Sequence, residues 1–143
     1  MLSQRTFIYD VKANSWSEGP SLLTPRMYHC TCVIQSDDES TESIIIIGGN
    51  TKEEDDSNTT EILDLNVQKW VQGPALPLGA RYTACVTLPP TSNFLCVVFG
   101  TETRKESSGT CVYGLEKRLM EWKLLGKFET RTWQSVRIAL PFS

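Results

Sequence analysis

Short apolar runs alternate with polar, turn-forming stretches along the whole chain. The runs Ile44–Ile47 and Phe94–Phe99 are apolar at successive positions, which is typical of a strand buried on both faces. No segment places apolar residues at helical spacing over a helical length. The pattern predicts an all-β chain, with two strands in Thr6–Gly19 and eight more at Tyr28–Ile34, Ser43–Ile47, Glu61–Leu65, Lys69–Gln72, Tyr82–Leu88, Phe94–Phe99, Thr110–Leu115 and Glu121–Leu125.

A set of residues recurs in the same order about every 50 residues, which is the spacing of a repeat protein. Three of the four tryptophans are each followed closely by a glycine and then by an arginine. In each complete period, a glycine-ended apolar run and an aromatic or aliphatic residue before Asp or Gly precede the tryptophan. The recurring positions are Trp16, Trp70 and Trp122; Tyr9, Leu63 and Tyr113; Gly48, Gly49 and Gly100; and Arg26, Arg81 and Arg131.

A unit of four short antiparallel strands with these residues resembles a kelch repeat, which is one blade of a β-propeller. The resemblance implies that the double glycine Gly48-Gly49 ends the second strand. It also implies that the aromatic residue and the tryptophan pack between neighbouring blades, so that Trp16, Trp70 and Trp122 are buried at equivalent places. The later unit departs from the pattern, with Phe99-Gly100 for the double glycine and Gly114 for the aspartate.

The repeat divides the chain into two full blades, residues 21–74 and 75–126, and two partial ones. Residues 1–20 supply a third and fourth strand, and residues 127–143 supply a first strand. Because closed propellers contain four to eight blades, we expect the remaining blades to come from a longer chain. The alternative is self-association, in which two copies close one ring.

Composition narrows the class of protein. The net charge of −3 and the pI near 5.2 argue against nucleic-acid binding, which needs an excess of cations. No apolar stretch approaches the length of a membrane span. Five cysteines without C-x-x-C spacing indicate reduced thiols in the cytoplasm, with the nucleus as an alternative. The sequon Asn58-Thr59-Thr60 would matter only if the chain were secreted.

Two sets of charged residues are candidates for partner binding. Arg26, Arg81 and Arg131 begin the innermost strands, where guanidinium groups would suit a carboxylate or an acidic peptide. The alternative is that each arginine bonds backbone carbonyls and holds the turn. The loop Thr51–Asn58 contains four acidic residues that either select basic partners or keep the loop solvated. These residues, which lack the spacing of a calcium loop, are Glu53, Glu54, Asp55 and Asp56.

The sequence offers little for catalysis or for a metal. His29 is the only histidine, and Cys30 and Cys32 share a face of its strand. A metal would need further ligands from elsewhere, and Cys30 matches Cys85 in the repeat, which favours core packing. We therefore predict no metal and no cofactor.

The resemblance implies a non-catalytic module that binds another protein, such as a substrate adaptor of a ubiquitin ligase or an actin-associated scaffold. The alternative is a fragment of a kelch-type copper oxidase or lyase. The binding face is predicted on one rim of loops, and the competing surface on the opposite rim, at Gln35–Glu42 and Pro89–Asn93. The favoured rim comprises Leu22–Arg26, Thr51–Asn58, Ala75–Arg81, Thr101–Gly109 and Lys127–Arg131.

Overall fold

The computed structural model describes residues 2–36, 40–80, 83–101 and 109–129. These residues form ten strands and no helix, which confirms the all-β prediction. The strands are β1 (Phe7–Asp10), β2 (Ser15–Glu18), β3 (Cys30–Gln35), β4 (Glu42–Ile47), β5 (Thr60–Asp64), β6 (Lys69–Gln72), β7 (Ala84–Thr87), β8 (Phe94–Thr101), β9 (Gly109–Glu116) and β10 (Glu121–Glu129).

The strands form one hairpin and two four-stranded antiparallel sheets. Strands β1 and β2 make the N-terminal hairpin, β3 to β6 make the first sheet, and β7 to β10 make the second sheet. Every pair joins strands that are consecutive in the chain, so each sheet is a simple meander. Neither sheet closes on itself. Four antiparallel strands per unit are therefore confirmed.

The same turn joins the last two strands in all three units. Asp10 Oδ1 accepts hydrogen bonds from Lys12 N and Ala13 N, and Asp64 Oδ1 accepts them from two backbone amides in the same way. Each turn contains a non-glycine residue at positive φ, a conformation that L-residues seldom adopt. These residues are Asn14 (50°), Gln68 (54°) and Met120 (52°). The repeat is thus visible in the backbone itself.

The double glycine ends β4, as the resemblance implied, and its backbone requires glycine. Gly48 and Gly49 have φ values of 65° and 92°, a region in which only glycine is at ease. A Cβ on Gly48 would lie 2.2 Å from Ala80 O, and Gly49 N donates to that same carbonyl at 2.6 Å. The first sheet therefore touches the start of the second unit through bare backbone.

Two apolar clusters hold the sheets together. The larger one lies between the two sheets and includes Ile45, Ile47 and Leu115, each fully buried. The smaller one lies on the other side of the first sheet, where Leu22 packs with Ile46, Leu63 and Trp70. Strand β4 is buried on both faces because each face meets a different neighbour, which its run of four isoleucines predicts.

Trp70 and Trp122 occupy equivalent buried sites. Trp70 is 4% exposed and Trp122 is 8% exposed. Trp70 Nε1 donates to Pro20 O at 2.9 Å, and Trp122 Nε1 donates to Pro74 O at 2.8 Å. Each indole thus bonds the Gly-Pro segment that ends the preceding unit.

The predicted burial of Trp16 is wrong for this structure, in which Trp16 is 70% exposed. No described residue covers its indole as Pro20 covers Trp70, and its nearest ring is Tyr9, at 4.9 Å between centroids. The assignment of Tyr113 is also wrong in register. Leu115 lies opposite Trp122, as Leu63 lies opposite Trp70, because two extra residues separate Tyr113 from Trp122.

Candidate protein-binding face

Two of the predicted rim loops lie together in the structure. Leu76 N donates to Asn58 O at 2.8 Å, and Ala80 N donates to Ser57 O at 3.0 Å. The side chain of Asn58 donates back to Leu76 O at 3.0 Å. We call this surface the loop face and define it as residues 51–59 with residues 73–80. The loop after β4 and the connection after β6 therefore share one face, as predicted.

The acidic segment sits at the tip of a well-anchored loop. Thr51 N donates to Glu54 O at 2.8 Å, and Glu54 N donates to Thr51 Oγ1 at 3.1 Å. At the base of the loop, Ser57 N donates to Gly49 O at 2.9 Å. Glu53, Glu54 and Asp55 are exposed. Their backbone is fixed at both ends, so the three carboxylates project from an ordered turn.

Asp56 differs from its three acidic neighbours because it is half-buried. Its carbonyl lies where a Cβ on Gly79 would have to be, at 2.0 Å. The residue thus belongs to the contact between the loop and the next unit. Gly79 is needed at this point because of the close backbone approach, not because of its conformation.

Arg26 is buried inside the first unit, with a fully buried side chain. Its Nη2 donates to Glu61 Oε1 at 2.7 Å, and its Nη1 donates to Gly48 O at 2.6 Å. The guanidinium thus ties the segment before β3 to the end of β4 and the start of β5. This geometry favours the second of the two hypotheses, in which the arginine holds a turn, because a buried guanidinium is not presented to a partner.

Glu61 is the partner that sequence reasoning missed. It is 2% exposed, and its carboxylate also accepts hydrogen bonds from Leu23 N at 2.7 Å and Thr24 N at 3.1 Å. These donors satisfy the hydrogen-bonding capacity of a carboxylate that is shut off from solvent. The available signal was a single acidic residue inside an otherwise apolar strand, which is where a buried charge needs a partner.

Three buried polar atoms near this pair make no hydrogen bond in the described part of the chain. They are Arg26 Nε, His29 Nδ1 and Asn50 Oδ1. Burial lowers the pKa of His29 below its usual 6.5, the Arg26 charge lowers it further, and the Glu61 charge opposes both. The histidine is therefore neutral at physiological pH, and it lies close enough to Arg26 and Glu61 to feel both charges.

The other two predicted arginines, Arg81 and Arg131, lie outside the described residues. Backbone hydrogen bonds show which residue of the second unit is equivalent to Arg26. Arg26 N donates to Ser3 O at 3.1 Å, and in the next unit Ala80 N makes the matching bond to Ser57 O at 3.0 Å. Ala80, one residue before Arg81, thus takes the backbone position of Arg26.

The competing rim is described only in part. Gln35 lies beside Pro89 and Pro90, and these residues line a small open pocket with Lys117. The acidic residues Asp37 and Asp38 lie outside the described residues, and so does most of Thr101–Gly109 from the favoured rim.

The thiols that the sequence suggested as core residues meet between the sheets. Cys30 and Cys96 belong to the larger apolar cluster, Cys32 and Cys85 pack against it, and none of the five cysteines is in a disulfide. Within residues 2–36, 40–80, 83–101 and 109–129, no group of three or more His, Cys, Asp or Glu residues is arranged to hold a metal ion. Nor do these residues include a helix long and apolar enough to cross a membrane.

A comparison with protein-family models and with curated protein sequences finds no match for this chain.

Proposed function

We propose that the chain is a segment of a kelch-type β-propeller that binds a basic protein partner through the loop face. The repeated four-stranded sheets, the double glycine and the two equivalent tryptophans support the propeller part of the proposal. One observation carries the binding part. Glu53, Glu54 and Asp55 are exposed together on a loop whose backbone is bonded both to its own sheet and to the next unit.

The physical basis is preorganisation. A loop that is already ordered loses little entropy when a partner docks, and clustered charges of one sign steer an oppositely charged partner to the site. The strands behind the loop are committed to packing, whereas the loop residues are not. The carboxylates therefore serve recognition at small cost to the fold.

The wider role is proposed from the resemblance. The first unit (residues 21–74) and the second unit (75–126) would be two blades of a ring, and residues 1–20 and 127–143 would belong to its neighbours. The remaining blades would come from a longer chain or from a second copy. Such a ring would serve as a substrate adaptor of a ubiquitin ligase or as an actin-associated scaffold. Cysteines that form no disulfide suit the reducing cytoplasm.

Fluorescence anisotropy with two labelled peptides tests the binding proposal. One peptide alternates lysine and serine, and the other alternates glutamate and serine. We expect the full chain to bind the lysine peptide and not the glutamate peptide. Added salt should weaken the binding of the lysine peptide. The triple variant E53Q/E54Q/D55N should bind the lysine peptide about 5- to 30-fold more weakly, since three exposed pairs contribute about 1–2 kcal/mol together.

The matched control is D37N/D38N/E39Q, which removes three carboxylates from the competing rim and changes the net charge equally. Circular dichroism of both variants checks that folding is intact. Equal weakening by the two variants would show a response to net charge alone, and weakening by the control only would move the site to the other rim. Either result contradicts the proposal.

A further inference from the structure

Four thiols from neighbouring sheets meet in one cluster. Strand β3 lies beside β7 and β8, with Cα atoms within 8 Å of one another. Alternate residues of a strand share a face, so Cys30 and Cys32 point together toward the second sheet. Cys30 and Cys96 belong to the larger apolar cluster, and Cys32 and Cys85 pack against that cluster. The cluster thus lies across the junction between the first and the second sheet.

Hydrogen bonds from two threonines fix where Cys85 lies against β3. Thr83 Oγ1 donates to Cys30 Sγ at 3.2 Å, and Thr87 Oγ1 donates to Val33 O at 2.6 Å. Cys85 lies between these two threonines and shares their face of the strand. Cys85 is therefore held beside the cysteines of β3.

Charge within the cluster is uneven. Hydrogen bonds from Cys85 first, and then from Cys96, lower the pKa of Cys32 to about 4, against the opposing effect of burial. The same contacts raise the pKa of Cys85 and of Cys96. Cys32 therefore ionises more readily than Cys85 or Cys96. The thiolate is the form of cysteine that attacks an oxidant.

Exposure distinguishes the four sulfurs. Cys32 and Cys85 are only half-buried, whereas Cys30 and Cys96 are buried. A small oxidant therefore reaches Cys32, and the partly open thiol on the neighbouring strand β7 is Cys85.

We propose that Cys32 and Cys85 form a reversible disulfide on exposure to hydrogen peroxide, and that this bond links the first sheet covalently to the second. The Cys32 thiolate attacks one peroxide oxygen, the O–O bond breaks, hydroxide leaves, and Cys32 becomes a sulfenic acid. The Cys85 sulfur then attacks the Cys32 sulfur, and the S–O bond breaks. Water leaves with the Cys85 proton, so that one peroxide is reduced for each pair of thiols oxidised.

Peptide mapping without reductant tests this site on the full chain. Trypsin places Cys30 and Cys32 on residues 27–52, Cys85 and Cys96 on residues 82–104, and Cys111 on residues 106–117. After peroxide treatment and blocking of free thiols, we expect a link between the first two peptides that dithiothreitol removes. The buried Cys111 serves as the internal control and should stay unlinked.

Single variants identify the pair. C30S and C96S should retain the link, while C32S and C85S should lose it. In C85S the sulfenic acid has no partner, so a dimedone adduct should accumulate on Cys32. This readout works even if C85S is less stable, provided the chain is still folded by circular dichroism. A link that survives in C32S, an absent link in the unmodified chain, or a dimedone adduct on another cysteine would each overturn the proposal.

Discussion

The N-terminal hairpin and the first sheet have the same local structure but very different burial. Both place an aspartate in the turn before their last strand, and both bond a threonine hydroxyl to the proline that follows, Thr6 to Pro20 and Thr60 to Pro74. Yet Trp16 is 70% exposed and Trp70 is 4% exposed. Strand and turn are thus determined within a unit, whereas burial is supplied by its neighbour, as repeat architectures require.

The same contrast appears in the ion pairs of the two regions. Arg5 and Glu18 pair across the hairpin at 3.0 Å with most of both side chains in solvent. Arg26 and Glu61 pair at 2.7 Å with almost none. An exposed pair is screened and contributes little, whereas a buried pair is costly to break because one charge is left without a partner. The two ion pairs therefore differ in how much stability is lost when one partner is removed.

The largest difference in stability between the two regions should come from replacing their tryptophans. Trp70→Ala should lower the free energy of unfolding by about 3–5 kcal/mol, because it removes a buried aromatic side chain and leaves a cavity. Trp16→Ala should change it by less than about 0.5 kcal/mol, as exposed substitutions do. Urea unfolding of the two variants measures both values. Equal losses would show that the indole of Trp16 is covered in solution.

The second largest difference in stability should come from replacing the arginines of the two ion pairs. Arg26→Ala should cost about 3 kcal/mol by leaving the Glu61 charge buried, while Arg5→Ala should cost about 0–1 kcal/mol. The double variant R26M/E61L removes both charges but also orphans Leu23 N and Thr24 N. It should remain less stable than the unmodified chain by about 2 kcal/mol. Full recovery in that variant would show that the capping of these amides by Glu61 is unimportant.

A smaller effect isolates the indole hydrogen bond. Trp70→Phe keeps an aromatic ring but loses the bond to Pro20 O, and we expect a loss of about 1–2 kcal/mol. Both variants are made in a Trp133→Phe background, because Trp133 lies outside the described residues. There, Trp16→Phe should be almost neutral for stability, yet it should remove most of the tryptophan emission that iodide quenches. Strong iodide quenching that persists in this variant would contradict the exposure of Trp16.

The smallest effect is a titration. Because burial and Arg26 lower the pKa of His29, the unfolded chain takes up this proton more readily than the folded chain. His29 should therefore leave stability unchanged above pH 6.5 and reduce it as the pH falls below 6.5 toward the folded value. As the chain has one histidine, its ring proton in an NMR titration reports the pKa directly. His29→Gln should flatten the acidic limb of the stability profile.

The strands were largely predictable because their signals are local. The prediction Lys69–Gln72 matches β6, and the isoleucine run gave β4 to within one residue. Strand β8 extends past Phe99 because Gly100 and Thr101 keep pairing with β9, which depends on the partner strand. The pairing of Arg26 with Glu61 was not predictable, because an arginine and a glutamate far apart in sequence both resemble surface charges. The exposure of Trp16 depends on a neighbour that no local pattern describes.

The contact between Gly49 and Ala80 bears on how such a chain could be recombined. The sequence repeat places a boundary after Pro74, yet the acidic loop of the first unit is bonded to Leu76 and Ala80 beyond that boundary. A graft that carried residues 21–74 alone would transfer the carboxylates without the backbone that fixes them. The transplantable piece extends through Ala80, so the natural crossover point for exchanging recognition loops lies several residues after the end of the repeat.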